Sequence, residues 1–294
     1  MINNHFLQNV DFEKFHGLGN DYILIDNLKW EIPGNKMGNL AKILCQPHFS
    51  IGADGLILVC PAKQKDISMR IFNPDGSEAE MCGNGIRCFS KYIYENDISK
   101  KLKIEVETLK RIVNAELKVM DDTVESVKID MGAPILSCDE IPVITEGLND
   151  KCVNESIVAI DKIFKFTAVS MGNPHAVIFT ENLPNNEELN RYGATISSNS
   201  MFPKKINVEF VKVQSQNEAT LRVFERGVGI TNSCGTGTCA AVVAGSITGM
   251  FKKDQSVTVH NDGGDLIITY NGRTVFMEGP ATRVFRGTID EIKL

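Results

Sequence analysis

Cys82-Gly83-Asn84-Gly85 and Cys234-Gly235-Thr236-Gly237 decide the reading of this chain, because each stands behind a matching strand-like segment. Met69-Arg70-Ile71-Phe72 precedes the first and Leu221-Arg222-Val223-Phe224 the second. The offset is 152 residues both for the cysteines (82 and 234) and for the arginines (70 and 222). Two copies of one unit would bring two equivalent thiols face to face. Such a pair suits a reaction that removes a proton from one side of a carbon and returns it on the other.

The repetition extends outward. Gly19-Asn20, before Tyr22-Ile23-Leu24-Ile25, matches Gly172-Asn173, before Ala176-Val177-Ile178-Phe179, at an offset of 153 (19 and 172). Gly55-Leu56-Ile57-Leu58-Val59 follows Asp54 as Val208-Glu209-Phe210-Val211 follows Asn207, again 153 apart (54 and 207). Val127-Lys128-Ile129-Asp130-Met131-Gly132 resembles Val275-Phe276-Met277-Glu278-Gly279. Similarities in the same order at a nearly constant offset mark a duplication.

Apolar residues at helical spacing predict helices over Gly85 to Asn96 and Gly237 to Met250, with shorter ones at Asn39 to Cys45 and Glu187 to Tyr192. Short β-rich runs such as Ile104 to Val106, Val113 to Val119 and Val257 to Val259 predict hairpins rather than βαβ crossovers. The expected class is α+β: two pseudo-symmetric halves, each a mostly antiparallel or mixed sheet wrapped around one central helix.

A chain of 294 residues, 43% hydrophobic and 23% charged, has the composition of an ordered globular protein of about two domains. Its net charge of −6 and scattered Lys and Arg argue against nucleic acid as a partner. No apolar run approaches the ~18 residues of a membrane helix, and the N-terminus lacks a secretory pattern, so a cytoplasmic location is expected. The eight cysteines are then expected as reduced thiols, most of them buried small hydrophobes.

Cys82 and Cys234 differ through the glycines that follow them. A helix N-terminus gathers free N–H groups and the positive end of the helix dipole, and glycine lets a ligand approach that backbone. A carboxylate is the expected guest, and the same field is expected to bring a thiol toward neutral ionisation, as base or acid. A zinc site fits poorly with the spacing of 82 to 88 and 234 to 239, and the expected compartment disfavours a disulfide between the halves. Polar companions stand at nearby turns and strand ends: Asn20, Asn73, Asn84, Asn173, His175, Asn207 and the pair Glu225-Arg226. Singly, each has an ordinary structural explanation, the Glu225-Arg226 pair as a surface ion pair. Together they could hold a substrate bearing amino and carboxylate groups.

Phe15-His16-Gly17-Leu18-Gly19-Asn20-Asp21, Asn73-Pro74-Asp75-Gly76-Ser77-Glu78, Met81 to Cys88, Met171-Gly172-Asn173-Pro174-His175, Asn207-Val208, Glu225-Arg226-Gly227 and Cys234 to Ala241 together resemble the diaminopimelate epimerase family. Only about the first nine residues look like an extension. The resemblance implies interconversion of LL- and meso-diaminopimelate, in lysine and peptidoglycan-precursor biosynthesis, without pyridoxal phosphate, other cofactor or metal. It also implies two similar halves, 1–131 and 132–279, with the tail 280–294 returning to the first, and a homodimer. The residues matching Cys82 and Cys234 are the family's two bases. Those matching Gly83, Asn84, Gly235 and Thr236 offer backbone N–H groups to the reacting carboxylate. Asn73, Asn173, Asn207, Glu225 and Arg226 match the distal recognition set, and Asn20 and His175 line the reacting side. This chain departs from many members in having Gly55 for Gln and Ile230 for Glu. The nearest alternative keeps the chemistry and changes the substrate, as a racemase of histidine or proline. A non-catalytic thiol or metal-binding protein is the alternative of another class.

Overall fold

The computed structural model describes residues 6–80, 82–145 and 150–293. Met81 of the first cysteine block and most of the apparent N-terminal extension lie outside them. The chain divides into two compact units, Met1–Ile129 with Gly279–Leu294, and Asp130–Glu278.

The first unit opens with β1 (Phe6–Gly17), β2 (Asn20–Asp26), α1 (Asn27–Trp30), α2 (Gly34–Leu44) and β3 (Gly55–Cys60). It continues through β4 (Ile67–Phe72), β5 (Glu78–Ala79), α3 (Gly83–Glu95), β6 (Lys103–Glu107), β7 (Ile112–Met120) and β8 (Thr123–Gly132). The second unit holds β9 (Glu155–Ala159), β10 (Lys162–Ser170), β11 (Pro174–Phe179), α4 (Asn186–Ser197) and β12 (Asn207–Ser215). After these come β13 (Glu218–Glu225), β14 (Gly229–Thr231), α5 (Gly235–Ile247), β15 (Ser256–Asn261), β16 (Gly264–Tyr270) and β17 (Val275–Gly279). The last strand, β18 (Thr282–Lys293), pairs antiparallel with β1 in the first unit, Val10 opposite Ile289.

Both units follow the same path. A hairpin, β1–β2 or β10–β11, turns through a glycine with positive φ, Gly19 at 88° and Gly172 at 100°, a region that costs glycine little. The next strand is parallel: β2 pairs with β3, Tyr22 opposite Gly55, and β11 with β12, His175 opposite Asn207. An antiparallel step to β4 or β13 is followed by a second parallel pairing, β4–β6 or β13–β15. These parallel steps correct the expectation of hairpins alone. A helix lies in the chain between each pair, α2, α4, α3 and α5 in turn, so all four are crossovers of the βαβ kind. The short strand runs were read correctly as strands but gave no signal of direction.

The crossovers cover both faces of the sheet. In β3, every residue of which is buried, Leu56 and Leu58 join the cluster formed with Met37, Leu40, Ala41 and Leu44 of α2. Ile57 faces the other way, where its side chain would lie 3.3 Å from a Cβ added at Gly85 of α3. A strand enclosed on both sides reads as a continuous apolar run, which is why Gly55 to Val59 lacks alternation. In the second unit Ile178, Val208 and Phe210 pack with Leu189, Tyr192 and Ile196 of α4. The start of α5 is buried almost all round, which its Ala, Val and Gly side chains allow. Helix α3 is buried as well, although it carries Arg87, whose Nε donates to the Pro280 carbonyl at 3.0 Å.

Candidate active site

Each cysteine is the N-cap of a 13-residue helix. Cys82 opens α3 with an extended backbone, φ −138° and ψ 122°, and Cys234 opens α5 at −118° and 106°. Their carbonyls accept the first helical hydrogen bonds, from Ile86 at 2.9 Å and from Thr238 at 2.8 Å. Both helices start two residues before the predicted Gly85 and Gly237, so Gly83-Asn84 and Gly235-Thr236 supply the first-turn N–H groups that an N-terminus leaves free for an anion.

Around Cys82 the groups come from three elements. Tyr22, buried on β2, places its hydroxyl 2.9 Å from the Cys82 Sγ and also donates to Asn20 Oδ1. The same Asn20 oxygen accepts from Asn84 Nδ2 at 3.3 Å, while Asn20 Nδ2 donates to Asp54 Oδ2 at 2.8 Å. Asp54 thereby fixes which way the amide points. Asn84 Oδ1 is buried and has no hydrogen-bond partner among the described residues. Asn73 stands apart from this group: it is exposed and bonds Ser77 within its own turn. Tyr22 and Asp54 were not singled out from the sequence, where Tyr22 reads as one more strand residue.

Around Cys234 the partners differ. Its Sγ accepts from the Gly237 backbone N–H at 3.4 Å and lies 3.4 Å from Thr236 Oγ1. His175 is fully buried, with Nε2 3.0 Å from Asn173 Oδ1 and Nδ1 2.7 Å from Glu209 Oε1. Ligating atoms of His175, Glu209 and Cys234 all lie within 4.8 Å of one another, a nitrogen, oxygen and sulfur set that could hold a metal ion. The spacing of the cysteines gave no hint of it. Glu209 was also missed; its signal was a charge inside the apolar strand Val208 to Val211. A Cβ at Gly237 would fall 2.5 Å from Glu209 Oε1, so only glycine lets this carboxylate reach the start of α5.

The expectation of a thiol brought toward neutrality fails for Cys234. Burial, then Glu225 and then Glu209, push it well above its ordinary value, against the smaller opposing effects of Thr236 and the Gly237 N–H. Desolvation of the charged form outweighs the helix terminus. Burial likewise raises Glu209, with His175 pulling in the opposite direction.

The remaining predicted residues are arranged around the end of β13. Asn207 is buried, and its Oδ1 accepts from the Arg226 backbone N–H at 2.9 Å. Arg226 Nη1 donates to the Lys204 carbonyl at 2.9 Å, and Glu225 Oε1 accepts from Thr231 Oγ1 at 2.5 Å. Each therefore has its own hydrogen-bond partner, which replaces the reading of Glu225-Arg226 as a surface ion pair. The expectation of reduced cysteines is corrected at one place: Cys138 and Cys152 form a disulfide, with Cα atoms 5.6 Å apart. The antiparallel bridge of Ser137 with Lys151 brings those backbones within the range a disulfide needs.

This fold is shared with a hydroxyproline epimerase from Agrobacterium vitis, at a TM-score of 0.72 and 15% identity over 98% of this chain and 93% of that one. It is shared also with a phenazine biosynthesis protein of the PhzF family from Bacillus anthracis, at a TM-score of 0.67 and 17% identity over 96% and 99%. These likenesses define the class of the fold, a doubled α+β frame that the three proteins share. The diaminopimelate epimerase model matches residues 12–137 and 167–284. Diaminopimelate epimerases from Pelotomaculum thermopropionicum and Brachyspira hyodysenteriae are 47% and 46% identical, over 95% of this chain and 98% and 99% of theirs. The chain belongs to the diaminopimelate epimerase family.

Proposed function

We propose that this isomerase interconverts LL- and meso-2,6-diaminopimelate, with Cys82 and Cys234 as the two acid/base groups and no pyridoxal phosphate. The observation that carries the reading is the placing of both cysteines as N-caps of equivalent helices in two repeats of one topology. One thiol, as thiolate, takes the Cα proton; the other, as thiol, delivers a proton to the opposite side of that carbon. Negative charge then develops on the adjacent carboxylate, and donors already oriented toward it lower the barrier without reorganising. The backbone N–H groups of Gly83, Asn84, Gly235 and Thr236 serve as those donors. Cys234, kept protonated by its burial, is the resting acid in this scheme.

Asn20 and His175 act on the reacting side, where Asn84 Oδ1, without a partner among the described residues, can accept from the substrate ammonium. Asn73, Asn173, Asn207, Glu225 and Arg226 recognise the distal amino acid end. Arg226 suits a carboxylate and Glu225 an ammonium. By resemblance the protein is a cytoplasmic homodimer serving lysine and peptidoglycan-precursor synthesis, with halves at 1–131 and 132–279. Among the described residues, no helix is long and apolar enough to cross a membrane.

LL-diaminopimelate incubated with the reduced protein in deuterated water is expected to yield the meso isomer, with deuterium at Cα, without added pyridoxal phosphate. Absence of exchange sinks the reading. Gly55 in place of a common glutamine gives one reason to run histidine, lysine and proline in parallel. Turnover of one of these in preference to diaminopimelate would move the assignment to a racemase.

A further inference from the structure

The repeat gives the two thiols companions of different chemistry. Tyr22 and His175 are related by the same 153-residue offset as Asn20 and Asn173 (20 and 173, 22 and 175). Each follows its asparagine by two residues and bonds that asparagine's Oδ1. Where the second unit has a buried imidazole backed by Glu209, the first has a phenol 2.9 Å from the cysteine sulfur. Position 56, equivalent to Glu209 at that offset, is an apolar leucine.

We propose that the Tyr22 hydroxyl is a further catalytic group, a rotor that accepts the S–H of Cys82 while the cysteine holds its proton and donates to the sulfur once that proton has left. The inference rests on the reading of Cys82 as an acid/base group. The hydrogen-bond set supports both positions of the rotor. With the thiol protonated, S–H points to Tyr22 Oη, and the hydroxyl proton goes to Asn20 Oδ1. With the thiolate, the hydroxyl turns to sulfur, and Asn84 Nδ2, 3.3 Å away, remains to satisfy Asn20 Oδ1. Asp54 holds the Asn20 amide so that its oxygen stays on this side. The tyrosine keeps its own proton throughout; the proton that moves passes only between Cys82 and the substrate carbon.

Two further observations fit. Burial, then the neighbouring Cys82, push the phenol well above its ordinary value, so it stays protonated and acts only through hydrogen bonds. Gly55 stands opposite Tyr22 in the parallel register, and a Cβ there would come within 3.3 Å of two ring carbons and 3.0 Å of the Phe72 carbonyl oxygen. The absence of a side chain at 55 leaves the ring the space it occupies. A side chain at 55 would press on the ring and on the Phe72 carbonyl by a few tenths of an ångström.

The test is peptide-resolved alkylation of the full chain by iodoacetamide across pH, under reducing conditions, beside epimerisation kinetics. Tyr22→Phe keeps the ring and removes only the donor. Its Cys82 alkylation profile is expected to move up by about one pH unit, a tenfold change in thiolate population, with the Cys234 profile unmoved. Turnover is expected to fall about tenfold with KM within about twofold, the split expected of a group that acts on the reacting sulfur. An unchanged Cys82 profile overturns the proposal whatever the activity. If the Phe variant does not fold, both cysteine profiles lose their shape. Site-specific 3-fluorotyrosine at position 22, a stronger donor, must then move the Cys82 profile down, and failure to do so also overturns it. A Cys82 shift in a protein with no epimerase activity leaves the Tyr22–Cys82 coupling standing and removes the functional reading instead.

Discussion

Cys234 has a carboxylate on each of two neighbouring strands working against its ionisation, Glu225 and Glu209, in addition to its burial. Glu225 has the larger effect of the two. Glu225→Gln is therefore expected to bring Cys234 alkylation to lower pH, so that the thiol reacts faster at a given pH. A profile unchanged by the substitution would show that Glu225 does not hold the thiol up. At this scale the sequence was informative where a residue belonged to a repeated block. Cys82, Cys234, Asn20, Asn84, Asn173 and His175 all entered through such blocks, and each lies beside a cysteine or a partner of one. Tyr22, Asp54 and Glu209 stand in repeated blocks too, but only as strand or strand-end residues, because their work depends on register: parallel pairing across β2–β3 and β11–β12 brings distant strand residues beside the helix starts. Asn73 illustrates the converse, a motif residue that this structure leaves on an exposed turn.

Among the elements, α3 and α5 were legible from apolar spacing and the glycines at their starts, whereas the parallel strand order was not. A short buried strand between two helical layers looks the same in sequence whichever way its neighbour runs. The segment before β9 shows another limit. Cys138 and Cys152 are 14 residues apart, and the bridge between Ser137 and Lys151 brings their backbones together. Closing a loop of that length is worth about 3 kcal/mol in the chain-entropy account. Cys138→Ser with Cys152→Ser is expected to lower unfolding stability by roughly 2–3 kcal/mol in oxidising buffer, with little effect once dithiothreitol has reduced the parent. Equal stability of parent and variant in oxidising buffer would mean that the bond contributes nothing.

Across the whole molecule, duplication sets the frame and divergence between the copies sets the chemistry. The frame buries thiols as well as strands: Cys45 and Cys88 are both pushed up to about 12 from an ordinary 9.0, chiefly by burial. A raised folded-state value means that the unfolded chain loses these protons first as pH rises. The stability they protect is intact below pH 9 and declines between 9 and 12. Melting temperature is expected to fall through that window, and to fall less in Cys88→Ala measured against its own value at pH 8; a parallel fall would assign the loss to other groups. The central claim concerns the other two thiols, and turnover of LL-diaminopimelate by Cys82→Ala and Cys234→Ala, each compared with the parent, tests it most directly. The account predicts that each substitution alone lowers turnover by about 10²–10⁴, the range of a lost acid/base group. Near-parental turnover in either variant would contradict it.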